Sequence, residues 1–192
     1  MPPRMRKSVI IGIGAALALG GMAGAFAWRA DRDIKKVEAG IGPAWTEAQW
    51  RFPIDQWGKG KAFQCKAADC GTEVSLYLRA KIGFCNCTTG VADDEELERL
   101  SDFDLVGGAV AAQGDGRPIS VAWMKGRSRS YALTAKNRPG KTMLSIAFND
   151  RCDAVVATVV LGHDRPDAIE PGVMEFLNGK AVMRWAEVTL GL

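Results

Sequence analysis

The chain has 192 residues, of which 47% are hydrophobic and 24% are charged, a composition typical of one globular domain with an accessory segment. The formal net charge is +3, and removing Arg4, Arg6 and Lys7 from the 25 basic residues leaves 22, equal to the 22 acidic residues. A chain balanced in this way has no broad positive field for phosphate backbones, so we expect no nucleic-acid partner.

The N-terminal region forms the accessory segment. A basic tail, residues 1–7, precedes residues 8–28, a stretch of 21 residues without a charge. As a helix this stretch is roughly 30 Å long, enough to cross the hydrocarbon core of a bilayer. We predict a retained, single-pass transmembrane anchor. One alternative is a cleaved signal peptide, because residues 25–27 read Ala-Phe-Ala, the A-x-A form of a cleavage site, and the other is a buried helix of a soluble protein.

Small residues recur every fourth position in this apolar stretch: Gly12, Ala16, Gly20 and Gly24. On a helix they form one ridge, which lets two helix backbones approach closely in lipid. The ridge predicts a possible homodimer through the membrane helix. The alternative is chance spacing, since glycine and alanine are abundant throughout residues 8–28.

The side of the membrane is predicted from the cysteines. Basic residues flank the apolar stretch on both sides, so the positive-inside rule favours neither orientation. The chain has five cysteines, four of them within residues 65–87, which suits an oxidising compartment. We therefore expect the domain on the periplasmic, extracytoplasmic side of the cell (inner) membrane.

A membrane-proximal region, residues 29–60, connects the anchor to the domain at residues 61–192. It begins as a continuation of the first helix and becomes a connector that contains Trp45, Trp50 and Trp57. Such tryptophans either sit at a membrane interface or fold back over the core, and the second interpretation is favoured.

The clearest structural pattern is the alternation in residues 73–84, "EVSLYLRAKIGF". Apolar residues occupy the even positions from Val74 to Phe84, and polar residues or glycine occupy most of the odd ones. A period of two predicts a half-buried strand with one polar face, which is typical of an antiparallel sheet.

The remaining elements follow between turn signals. Residues 92–100 predict a short acidic helix that Asp93 caps, with Glu96 at the capping-box spacing. Its acidic N-terminus is better explained by the helix dipole than by a metal site. Strand-like segments then recur at residues 103–112, 118–125, 129–135, 142–149 and 152–161.

The last segment predicts a C-terminal helix. Apolar residues at helical spacing would share its buried face: Val173, Phe176, Leu177, Ala181, Trp185 and Val188. Gly179 weakens this helix without excluding it. Strands in series with a closing helix predict an α+β fold, with a mainly antiparallel sheet, the short acidic helix and the C-terminal helix.

The cysteines are best explained as disulfide staples. Cys65 and Cys70 flank a four-residue loop, so their Cα atoms can approach disulfide distance. Cys85 and Cys87 cannot easily bond each other along an extended chain, but one of them can reach Cys152. The other is then an unpaired thiol.

The alternative use of these cysteines is copper or thiol handling. Cys85 and Cys87 form a C-x-C pair, and soft thiolates bind Cu(I), with Met124 or Met143 as conceivable further ligands. The spacings do not suit a four-ligand zinc site, and neither pair has the C-x-x-C form of a redox motif. We expect no metal and no other cofactor.

Little in the sequence predicts catalysis. His163 is the only histidine, and the chain has no nucleophile-elbow, P-loop or H-E-x-x-H motif. The sequence therefore predicts a membrane-anchored, disulfide-stapled, non-catalytic domain, with other envelope proteins as its partners.

Overall fold

The computed structural model describes residues 44–134, 140–162 and 165–192. Seven strands lie in these ranges: β1 (Trp45–Ala48), β2 (Lys61–Cys65), β3 (Val74–Lys81), β4 (Ala109–Val121), β5 (Met124–Thr134), β6 (Lys141–Asp150) and β7 (Asp153–Leu161). The helices are α1 (Ala67–Cys70), α2 (Asp94–Leu100), α3 (Pro166–Leu177) and α4 (Lys180–Leu190), with a 3-10 turn at Phe103–Leu105.

The strands form one sheet in the order β1-β2-β3-β7-β6-β5-β4, and every neighbouring pair is antiparallel. Two meanders, β1 to β3 and β4 to β7, join where β3 pairs with β7. The predicted antiparallel α+β domain is confirmed. Because β4 lies at the far edge from β1, the chain must cross the sheet between β3 and β4, and it does so through residues 82–108.

The two faces of the sheet carry different covers. Helices α3 and α4 pack on one face, the helical face, where Leu76, Ile146 and Val159 contact Val173 and Val182 in the main core cluster. The crossing residues 82–108 cover the other face, the crossover face. There Leu97 and Leu100 of α2 pack with Ala147 and Val156 of the sheet. Antiparallel sheets often leave one face to water, but this one is covered on both.

The predicted strand at residues 73–84 is shorter and more deeply buried than expected. It ends at Lys81, and Ile82, expected on the buried face, is 55% exposed. The expected polar face is also covered, since Arg79 and Lys81 are both buried. The prediction of a half-buried strand was wrong because a distant part of the chain, the crossing segment, lies over that face.

A second difference lies between β4 and β5. The predicted strand at residues 118–125 contains a turn, where Ala122 has a φ of 50° between the two strands. Residues 126–128, which separate two of the predicted strands, are instead part of β5. Alanine carries no turn signal, so local composition predicted this connection in the wrong place.

The acidic helix is confirmed. The carboxylate of Asp93 accepts a hydrogen bond from the backbone N–H of Glu96, as a cap should. The reciprocal half of the capping box is missing, because the Glu96 carboxylate binds Arg99 and the backbone N–H of Asn86 instead.

The C-terminal helix is two helices. Gly179 has extended backbone angles, φ −69° and ψ 148°, so α3 ends at Leu177 and α4 starts afresh at Lys180. The interruption changes the helical phase, and the buried face of α4 consists of Val182, Met183, Ala186 and Leu190. The expectation that Ala181 and Val188 share the core face with Val173 was wrong, and Val188 is 77% exposed.

No helix within the described ranges is both long and apolar enough to cross a membrane. The predicted anchor at residues 8–28, with Gly12, Ala16, Gly20 and Gly24, lies outside those ranges and stays a prediction.

Which side of α4 faces the core can be tested by shortening two of its side chains to alanine. Leu190→Ala should lower the free energy of unfolding by about 2–5 kcal/mol, because Leu190 packs in the main core. Val188→Ala should change it by less than about 0.5 kcal/mol, as for other surface positions. Urea titrations of the two variants measure the difference. A larger loss for Val188→Ala would restore the single continuous helix.

Candidate functional site

The most unusual feature of the domain is a pair of buried cations on the crossover face. Arg79 and Lys81 follow each other on the same face of β3, and their side chains are 2% and 6% exposed. A charge buried to this degree is costly unless it is paired. Asp102, which follows α2 in the crossing segment and is 3% exposed, provides one partner carboxylate for both.

Two carboxylates pair with the two cations. Nη1 of Arg79 donates to Oδ2 of Asp55 at 2.8 Å and lies 3.4 Å from Oδ1 of Asp102. Nζ of Lys81 lies 2.9 Å from the same Asp102 oxygen. Burial raises the pKa of Asp102, and the attraction of Lys81 and Arg79 opposes that rise without cancelling it. The four formal charges sum to zero.

Aromatic rings of the connector cover this cluster. The guanidinium carbon of Arg79 lies 5.3 Å from the ring centroid of Trp50, and Nζ of Lys81 lies 5.3 Å from that of Trp57. Trp57 in turn packs edge-on against Phe84 of the crossing segment at 4.6 Å. These distances are in the range of cation–π contacts. The tryptophan-rich connector therefore folds back over the sheet, and its rings lie on charges.

The pairing of Arg79 is incomplete. Its Nε and Nη2 atoms are buried and have no hydrogen-bond partner in the described part of the chain. The same holds for Oγ1 of Thr158, which lies on β7 two residues from Val156, the partner of Arg79 across the β3–β7 ladder. Unpaired buried polar atoms are rare in folded proteins, so this edge of Arg79 needs a specific explanation.

The contribution of the charged cluster to the stability of the fold can be tested at Asp102. Asp102→Asn should lower the free energy of unfolding by about 3–5 kcal/mol, because it leaves two buried cations without their shared carboxylate. Asp104→Asn, an exposed position two residues away, is the matched control and should stay within about 0.5 kcal/mol of the parent. Equal, small effects in chemical denaturation would mean that the pairing is not important for stability.

Two cysteine pairs lie at disulfide distance. The sulfur atoms of Cys65 and Cys70 are 2.02 Å apart, and those of Cys87 and Cys152 are 2.09 Å apart. The first pair closes the short loop that contains α1. The second ties the start of the crossing segment to the turn between β6 and β7.

Cys85 is the free thiol among the described residues. Its backbone N–H donates to the carbonyl of Cys152, and its thiol donates to the carbonyl of Arg151. Burial raises the pKa of this thiol to about 11, with the nearby carboxylates of Glu96 and Asp153 adding to the rise. Cys85 is therefore a protonated, packed side chain at neutral pH.

The residues of the copper alternative do not come together. The sulfur of Cys87 is bonded to Cys152, while Met124 and Met143 lie in two core clusters separate from that of Cys85. In the described ranges, no three histidine, cysteine or acidic side chains are placed to hold a metal ion. His163 lies outside those ranges.

Thiol counting tests the cysteine arrangement and the compartment together. Protein taken from its native compartment and denatured should contain one free thiol, which mass spectrometry should locate at Cys85. Before denaturation this thiol should react slowly with iodoacetamide, because it is buried and its pKa is raised. Five free thiols would contradict both the bridges and the extracytoplasmic location.

A groove runs between β2 and α4 at the sheet edge. It has a volume of about 410 Å³ and is lined mainly by apolar side chains, with Phe63 and Leu78 on the sheet side and Trp185 and Val188 on the helix side. Lys61 and Glu47 pair with each other at its rim. Arg184, also at the rim, has no carboxylate partner among the described residues.

Sequence reasoning missed both surfaces. It assigned Arg79 and Lys81 to a solvated face and Val188 to the core, whereas Trp185, also assigned to the core, does pack against it while lining the groove. The charged cluster depends on the path of residues 82–108, which no local pattern reveals. The groove depends on the interruption at Gly179, a residue that the sequence does show to be weak in a helix.

Comparison with known proteins gives no family. No family model matches the chain, and no curated protein matches it. Among solved structures, it is similar to a crystal structure of PA94, a Pseudomonas aeruginosa protein of unknown function, with 10% identity and a TM-score of 0.38. The match covers 73% of this chain and 83% of that one. A similarity at this level carries no functional argument.

Proposed function

We propose that the chain is a membrane-anchored, non-catalytic domain on the extracytoplasmic side of the cell membrane, which binds another envelope protein through the apolar side of α4. One observation carries the proposal. Ala181, Trp185 and Val188 follow one another at intervals of four and three residues on α4 and form a stripe beside its buried face, and Leu192, just past the end of the helix, lines the same surface as Val188.

This stripe has the spacing of a helix-docking seam. Intervals of four and three residues keep apolar side chains on one side of a helix, as in coiled coils. Val188 is 77% exposed and Leu192 is 49% exposed, so the stripe is open to a partner. The groove between α4 and β2 continues it onto the sheet edge.

The charges beside the stripe indicate the kind of partner. Lys180 and Arg184 lie one turn apart on α4, both exposed, and neither pairs with a carboxylate of the described chain. An amphipathic helix with acidic residues flanking its apolar face would complement them. The occupant that we propose is such a helix of another envelope protein.

The remaining parts of the proposal have separate support. The extracytoplasmic location is supported by two cysteine pairs at disulfide distance, since disulfides persist mainly in oxidising compartments. The anchor rests on the uncharged stretch at residues 8–28, and the absence of catalysis rests on the missing motifs. Copper handling is less favoured, because Cu(I) binding by the C-x-C pair needs Cys87 as a thiolate.

Site-specific photocrosslinking tests the docking surface. A photoreactive benzoylphenylalanine at position 188, in the full-length chain at its natural level, should give an adduct with one defined envelope protein. The same residue at position 189, exposed but outside the stripe, should not. The adduct partner is then purified, and its affinity for the chain is measured directly.

In that binding assay, Val188→Glu should weaken the affinity at least about tenfold, because it places a charge in an apolar contact. Thr189→Glu should leave the affinity unchanged. Equal adducts at both positions, an adduct only with a second copy of the chain, or full affinity of Val188→Glu would each contradict the proposal.

A further inference from the structure

The unpaired atoms of Arg79 form one edge of its guanidinium group. Nε–H and one N–H of Nη2 point the same way, and this edge matches the two oxygens of a carboxylate in a bidentate pair. In this domain both atoms are buried and lack a partner in the described ranges, while Nη1 alone holds Asp55 and Asp102. The part of the side chain best suited to bind an anion is therefore unused.

A short segment, residues 51–59, lies against the cluster. It contacts Arg79 through Asp55 and Lys81 through the ring of Trp57. Asp55 is 37% exposed, so its ion pair with Arg79 reaches solvent, and a half-exposed pair of this kind is weak. A turn closed by Gly58, whose φ is +73°, brings the segment back to β2.

The charge balance indicates what can replace Asp55. With Asp55 in place, two cations face two carboxylates. When Asp55 moves into solvent, Arg79, Lys81 and Asp102 retain a net charge of +1, which one carboxylate neutralises and a doubly charged phosphate does not. Thr158 Oγ1, which is also buried and has no partner in the described ranges, lies on the neighbouring strand two residues from Val156, the residue opposite Arg79.

We propose that Arg79 and Lys81 form a binding site for a ligand carboxylate, and that Asp55, which pairs with Nη1 of Arg79, competes with this ligand for the positive charge of the cluster. The ligand pairs with the Nε/Nη2 edge of Arg79, and Asp55 leaves as the segment at residues 51–59 opens. The ligand carboxylate has two possible sources, a small organic acid or the C-terminus of a peptide. This site lies on the crossover face, opposite α4, so it stands independently of the docking surface.

The full-length protein in detergent micelles allows a direct test by NMR. The Nε–Hε cross-peak of Arg79, assigned through its loss in Arg79→Lys, should shift on titration with sodium acetate and not with sodium chloride at the same ionic strength. In Asp55→Asn the same shift should need about fivefold less acetate, the factor for losing one weak ion pair. Asp69→Asn, an exposed acid elsewhere, should leave the titration unchanged.

Two further ligands distinguish the sources. Acetyl-Ala-Ala is tested with a free C-terminus and as its C-terminal amide. If the free acid binds more tightly than acetate and the amide does not bind, the natural ligand is a peptide C-terminus. Equal affinities of acetate and the peptide indicate a small organic acid. A cross-peak that acetate leaves unmoved in both the parent and Asp55→Asn would overturn the site, since water would then fill the edge of Arg79. Equal affinities of the parent and Asp55→Asn for acetate would refute the role of Asp55 as a competitor.

Discussion

The architecture depends on the pairing of β3 with β7. This ladder runs over eight residue pairs, from Val74 opposite Leu161 to Lys81 opposite Ala154, and it joins two meanders into one sheet. Because it places β3 in the interior of the sheet, the chain has to travel from the middle of the sheet to its far edge before β4 can begin. Residues 82–108 cross one face of the sheet on this path. That face is buried because they lie over it.

The buried charges are a consequence of the same path. On an uncovered sheet Arg79 and Lys81 would face water, as their alternation with apolar residues indicates. The crossing segment and the connector cover them, and Asp102 arrives with the crossing segment to offset part of the desolvation cost. A hydrophobic pair in their place would often be equally stable or more so. A charged cluster under aromatic rings is therefore weak evidence for stability, and it is the feature from which we propose a carboxylate site.

The sequence predicted those features that depend on neighbouring residues. The alternation in residues 73–84 located β3, Asp93 located the start of α2, and the loop between Cys65 and Cys70 predicted their proximity. It did not predict which of Cys85 and Cys87 reaches Cys152. That choice follows from a long-range backbone hydrogen bond between Cys85 and Cys152, which sets the register of the approach.

The features that the sequence predicted wrongly depend on contacts or chain breaks that a local pattern does not record. Burial of the polar face of β3 arises from chain segments distant in sequence, so a period-two pattern contains no information about it. The buried face of α4 was predicted by continuing one helical period through Gly179, whereas the extended backbone of that residue is enough to turn a different side of the helix toward the core. Exposure of Val188 could be predicted only by treating that glycine as a boundary.

The bond between Cys87 and Cys152 also bears on the order in which the chain folds. Residues of β3 pair with residues of β7 between 73 positions (Lys81 with Ala154) and 87 positions (Val74 with Leu161) away along the chain. Measured through the sulfur bridge, Lys81 and Ala154 are separated by only about eight residues. Closing this shorter loop costs roughly 2 kcal/mol less free energy, in lost chain entropy, than closing the loop without the bridge. Oxidation before the sheet closes would thus turn the most non-local strand pairing of the domain into a nearly local one, and would make the rate of folding depend on the redox state of the compartment.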